Sequence, residues 1–238
     1  VYRATTKNGT YTLLGTTTAT HYTDNKAGSG YTYYYKVKAL AANGAESDYS
    51  AVVAGICHCA KPTVKATYMG ASGKPYLRWN TVANASQYEV YRATTKSGTY
   101  TLLGTITATH YTDNKAGSGY TYYYKVRAIS KVKSTANSVF SVPVAGICHC
   151  AKPTVKITTS AGKPKLTWNA VAGASKYYIY RSTEANGTFE YLYSTKNLFY
   201  TNKSAVAGTT YYYKVKAVSK VKSSANSVFS TVVSIRVR

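Results

Sequence analysis

One octapeptide recurs along this chain and limits what it can fold into. Gly30–Val37 reads GYTYYYKV, Gly119–Val126 repeats it letter for letter, and Gly208–Val215 reads GTTYYYKV. The spacings 119 − 30 and 208 − 119 are both 89 residues. A period of that size in 238 residues means a tandem array of small domains, not one large domain. Tyrosine and valine favour a pleated, half-buried surface, and the glycine marks a turn, so each copy predicts a strand. Strand side chains alternate. Tyr33, Tyr35, Val37 and Ala39 are therefore expected to line a core, with Tyr34, Lys36 and Lys38 on the solvent face. The outward sets of the other copies are Tyr123, Lys125 and Arg127, and Tyr212, Lys214 and Lys216.

The repeat extends beyond the octapeptide. Residues 2–37 and 91–126 differ only at Asn8 versus Ser97 and Thr17 versus Ile106. The first copy therefore begins partway along a strand and lacks what precedes that strand in the second: KPTVKATYMG and KPYLRWNTV, with Trp79. The simpler reading is a fragment of a longer array. The other is a fibre subunit completed by strands from a neighbour. The boundaries are 1–56 for a partial domain, 60–147 and 151–238 for full ones, with Cys-His-Cys junctions at 57–59 and 148–150. The second domain predicts seven strands: Thr63–Tyr68, Tyr76–Asn80, Tyr88–Ala93, Tyr100–Gly104, His110–Thr112, Tyr120–Ile129 and Val139–Val144. Turn residues separate them, and no 3.6-residue period appears. Many short strands at close spacing predict an all-β sandwich.

Lys plus Arg number 30 against 7 Asp plus Glu, a formal charge of +23. That balance fits anionic partners such as acidic cell-wall or host glycans, teichoic-acid-like polymers, nucleic acid or an anionic membrane, with a host protein as a further candidate. It equally fits a solvated surface kept soluble by like charge. No segment is apolar enough to insert in a membrane. The sequons at Asn8, Asn84, Asn186 and Asn202 matter only in a eukaryotic secretory setting.

Four cysteines form two Cys-His-Cys pairs, Cys57/Cys59 and Cys148/Cys150. At about 3.3 Å rise per strand residue, an end-to-end array holds the pairs roughly 30 Å apart. A disulfide needs Cα atoms within about 7 Å, so the two pairs cannot bond each other within one chain. The spacing favours local disulfides within each pair, ahead of a metal or an intermolecular cross-link. Cys57, His58 and Cys59 are a poor metal set, because neighbouring residues do not converge easily on one ion. His21 and His110 occupy equivalent positions, and His58 and His149 belong to the junctions. Acid–base hydrolysis needs two placed carboxylates. Over 61–150 the only ones are Glu89 and Asp113, and the third domain has Tyr178 and Asn202 there. Asp113 is expected to cap a turn. The residues point to a non-catalytic chain with no cofactor.

The outward Tyr/Lys stripe is the binding candidate: Tyr34, Lys36 and Lys38; Tyr91, Tyr123, Lys125 and Arg127; Tyr180, Tyr212, Lys214 and Lys216, with Tyr2 in the place of Tyr91. Aromatic faces pack on sugar rings while lysines meet anions. The alternative is cross-strand packing with internal cation–π pairs.

A Trp in the second strand (Trp79, Trp168), a third strand reading Tyr-x-Val-Tyr-Arg (Tyr88–Arg92) and a GxTYxYxVxA sixth strand resemble fibronectin type III domains. The likeness is to those in tandem on bacterial cell-surface and secreted proteins. It implies immunoglobulin-like β-sandwiches in an elongated array, with Trp79 and Trp168 in the core and a tyrosine corner at Tyr33, Tyr122 and Tyr211. It also implies an extracellular stalk or adhesion segment with no specific nucleic-acid partner. The family's Arg-Gly-Asp loop is absent. In its place stand NGAES (Asn43–Ser47) and the longer, basic SKVKSTANS (Ser130–Ser138) and SKVKSSANS (Ser219–Ser227).

Overall fold

Alternation along the repeated strand builds the fold. The computed structural model describes residues 1–238 and consists of antiparallel sheets joined in series. The first unit is one sheet of β1 (Tyr2–Ala4), β2 (Thr12–Leu13), β3 (Thr32–Lys36) and β4 (Val53–Ile56), in the order β2-β1-β3-β4. The second has β5 (Val64–Tyr68), β6 (Pro75–Trp79), β7 (Ala85–Ala93), β8 (Thr101–Ile106), β9 (His110–Thr112), β10 (Thr121–Ser130) and β11 (Val144–Ile147). These form the sheets β5-β6-β9 and β11-β10-β7-β8. The third repeats this with β12 (Val155–Ser160), β13 (Lys163–Trp168), β14 (Ala174–Ser182), β15 (Glu190–Thr195), β16 (Phe199–Thr201), β17 (Thr210–Ser219) and β18 (Val233–Arg236).

Each full unit packs its two sheets on a core of inward side chains. Tyr124, Val126 and Ala128 of β10 are fully buried, as are Tyr213, Val215 and Ala217 of β17. Trp79 and Trp168 lie in these cores, each against the ring of Tyr88 or Tyr177 at 5.5 Å between centroids. Those tyrosine hydroxyls accept from the amides of Val82 and Val171, both at 2.9 Å. The tyrosine corner forms in all three units. Tyr33, Tyr122 and Tyr211 accept from the amides of Gly28, Gly117 and Val206 at 3.0, 3.1 and 3.2 Å. Tyr211 is buried, whereas Tyr33 and Tyr122 are only half-buried.

Two expectations require correction. In the first unit Val37 is 47% exposed, although its counterpart Val126 is 0% exposed in an almost identical stretch. Ala39 is exposed as well. A single sheet has no opposing layer to bury its inner face, and the His21 segment has no β6-like partner and forms no strand.

The last strand of the second unit is also displaced: β11 spans Val144–Ile147, not Val139–Val144. Serine is the reason. Ser138 and Ser141 donate their amides to the carbonyls of Ala128 and Val126, while their hydroxyls accept from the amides of those same residues. A side chain thus replaces a backbone carbonyl at every third residue, and a ladder of period two cannot form until Val144. Ser47 and Ser50, and Ser227 and Ser230, do the same in the other units.

Candidate functional site

The stripe forms on the outer face of each four-stranded sheet, and its cations face rings of the same unit. In the second unit Lys125 Nζ lies 4.4 Å from the Tyr100 ring centre and 4.1 Å from that of Phe140. The Arg127 guanidinium is 5.2 Å from Phe140, which meets Tyr91 edge-on at 5.0 Å. Glu89 accepts from Arg127 Nε at 2.7 Å and from the Tyr91 hydroxyl at 2.9 Å. In the third unit Lys214 sits 4.3 Å from both Phe189 and Phe229, and Lys216 lies 5.2 Å from Phe229. There Tyr180 meets Phe229 edge-on at 5.0 Å. In the first, Lys36 lies 3.7 Å from Tyr49, Lys38 is 5.4 Å from the same ring, and Lys38 also pairs with Glu46. Tyr34, Tyr123 and Tyr212 lie half-buried on the same face.

The rings that complete these clusters, Tyr49, Phe140 and Phe229, come from the serine-bonded segment. The sequence reading missed them. Their recurrence between serines, as in SVFS, was the available signal.

The two carboxylates of the second unit lie on opposite faces of the sheet. Glu89 belongs to the outer cluster. Asp113 is 1% exposed and accepts from Arg92 and from the Tyr124 hydroxyl, each at 2.9 Å. It also accepts from the Lys115 amide, which is the expected turn cap. Arg3, Asp24 and Tyr35 repeat the cluster in the first unit. Burial and the bond to Asp24 push the Tyr35 hydroxyl up to about 12. The third unit replaces the aspartate by Asn202, whose amide donates to Tyr213 at 2.8 Å.

At the junctions the structure overturns the predicted local disulfides. Cys57, Cys59, Cys148 and Cys150 are all free thiols. The two sulfurs of each pair point into different units. Cys57 Sγ reaches the Ala27 carbonyl of the first unit at 3.4 Å, while Cys59 packs into the core of the second. Cys148 Sγ reaches Ala116 in the second unit at 3.4 Å, and Cys150 packs into the core of the third. Period two in an extended junction would place both on one side, but the chain passes between domains there, so Cys59 and Cys150 enter the core of the following unit while Cys57 and Cys148 lie against the preceding one. Burial pushes the Cys59, Cys148 and Cys150 thiols up. The same divergence removes Cys57, His58 and Cys59 as a metal set, because His58 Nδ1 faces the Asn137 carbonyl at 3.1 Å.

The long basic loops clamp these junctions. Cys59 and Cys150 donate their amides to the Ala136 and Ala225 carbonyls at 2.9 and 2.8 Å. Lys133 reaches back to Thr32 and Lys222 to Thr121, each on the preceding unit. Val132 lies over Gly30 and Val221 over Gly119. A Cβ on either glycine would come within 2.8 and 2.6 Å of the valine methyl, and both glycines have φ near +95° (+93° and +95°). The hydrogen bonds between units join adjacent units, among them Asn84 Nδ2 to the Ser29 carbonyl at 3.0 Å.

No family model matches the chain. Over 151 residues, 63% of this chain, it is 32% identical to a poly(3-hydroxybutyrate) depolymerase of Ralstonia pickettii, of which it covers 28%. The chain spans less than a third of the length of the curated relatives it matches. Among solved structures, an Fn3-like protein from Clostridium thermocellum is 32% identical, covering 36% of this chain and 88% of that one, with a TM-score of 0.33. The chicken interferon gamma receptor alpha chain is 12% identical, covering 74% of this chain and 97% of that one, with a TM-score of 0.55. That last likeness is one of fold alone. Taken with the three-against-four sandwich, the buried second-strand tryptophan and the tyrosine bonded back five residues, these matches make the chain a tandem array of fibronectin type III-like domains.

Proposed function

We propose that this chain is a non-catalytic spacer segment of an extracellular bacterial protein, holding neighbouring modules at a set distance and orientation. The observation that carries the reading is the clamp: each junction is held by one cysteine seated in the following core, a backbone bond, a lysine and a valine over glycine. Such contacts restrict bending, which a stalk requires and a flexible linker does not. The stripe supports the same reading, because its cations face rings of the same sheet. The depolymerase match favours an accessory segment beside a catalytic module, since only a part of that enzyme corresponds to this chain. Small-angle scattering on the full chain tests the proposal. The expected result is a narrow distribution of maximum dimension that broadens when Val132 and Val221 become Asp. A wild-type distribution as broad as the variant's overturns it.

A second reading makes the stripe a binding face for acidic glycans or a host protein. It requires the ligand to displace the internal cation–π contacts.

A further inference from the structure

We infer that the third unit carries a glycan-binding platform, selective for acidic sugars, on its side between β15 and β16. The second unit supplies the comparison. By register, Tyr193 stands where the second unit has Gly104, and Phe199 where it has His110. These changes bring aromatic rings to one edge of one domain. Tyr193 lies on Tyr200 with centroids 5.0 Å apart and planes 25° apart. Tyr193 and Phe199 each remain 50% exposed.

Exposed aromatics that adjoin one another mark a candidate contact site, whereas singly scattered ones are ordinary surface. Here the stacked pair floors an open groove of about 500 Å³, within the usual range for a small-ligand site. Thr195, Asn197, Thr201 and Lys203 line its rim. A pyranose ring presents a C–H face to an aromatic floor and hydroxyls at its edges, which fits apolar floor and polar rim together.

Charge selects among glycans. Lys203 is in no ion pair, and Lys165 sits 5.6 Å from the Phe199 ring. The only acidic residues from 151 to 238 are Glu184 and Glu190. A uronic-acid sugar places a carboxylate at the ring edge, within reach of such lysines. This platform is distinct from the Tyr/Lys stripe and does not depend on the spacer reading.

The test titrates hexagalacturonate into the full, isotope-labelled chain and follows backbone amide shifts. Saturable shifts centred on residues 193–203 are expected, weakening as salt rises. The double variant Tyr193→Gly, Phe199→His carries the residues the second unit already folds with. It is expected to bind at least tenfold more weakly with its melting curve intact. The absence of saturable shifts, or equal binding by the variant, overturns the site. Cellohexaose or a six-nucleotide DNA binding as tightly as hexagalacturonate overturns the acidic-sugar assignment.

Discussion

His149 lies flat on Tyr68, with ring centroids 3.8 Å apart and planes 26° apart, so a junction residue is held by the domain before it. The His149 amide also donates to the Gly73 carbonyl at 2.8 Å. The first junction has no such stack, because its unit lacks the strand that carries Tyr68. Tyr68→Ala is expected to loosen the second junction alone, by about 0.5–1.5 kcal/mol, the usual worth of an aromatic pair. Residual dipolar couplings measured on each unit check it: the second and third units should reorient relative to each other, and the first and second should not.

Glycine at the clamp provides an internal contrast. Gly119 has φ +95° and would place a Cβ 2.6 Å from Val221, whereas Gly208 has φ +81° with nothing within 4 Å. Gly208→Ala is expected to cost roughly 1–2 kcal/mol of backbone strain. Gly119→Ala is expected to cost that and to release the clamp. Denaturant melts and the scattering-derived dimension, taken together, separate the two effects.

Trp168→Ala is expected to destabilise the third unit by about 3–5 kcal/mol, as for other large buried aromatics. Its side chain is 6% exposed and its indole N–H has no protein acceptor, so the loss is one of packing. A cost below about 1 kcal/mol in urea melts contradicts this placement.

Acid should weaken the outer cluster of the second unit. Burial alone would raise the Glu89 carboxyl, but bonds from Arg127 and Tyr91 outweigh it and hold it below its usual value. A depressed folded value contributes stability that is present above the unfolded value, about 4.3. That contribution is lost as pH falls through the folded value. Glu89→Gln is expected to flatten the pH dependence of the midpoint below about pH 4.3, measured by urea titration at several pH values.

The thiols are expected to remain free and slow to react. Cys148 and Cys150 are fully buried, and Val237 fills at the end of the third unit the place Cys148 fills in the second. Cys148→Val should therefore fold normally. Thiol titration should find four groups in denaturant but delayed reaction of these two in the native chain; a fast native reaction would refute their burial.

Periodicity along the chain determined a great deal. The 89-residue repeat set the number of units, period two in TYYYKV set which faces of β10 and β17 turn inward, and Tyr122 and Trp79 took the places their motif implied. These features are local, because a strand's inward face follows from its own alternation. What the tertiary structure decided involves residues distant in sequence. Cys57 and Cys59 are two residues apart, yet their sulfurs lie against different units, and no spacing rule shows where a chain crosses between domains. Lys133 and Val132 read as a basic loop until folding sets them against Thr32 and Gly30, about 100 residues earlier. Val37 and Val126 sit in nearly the same words, but only the second has a sheet above it. Burial belongs to the packed pair of layers, and no strand carries it alone.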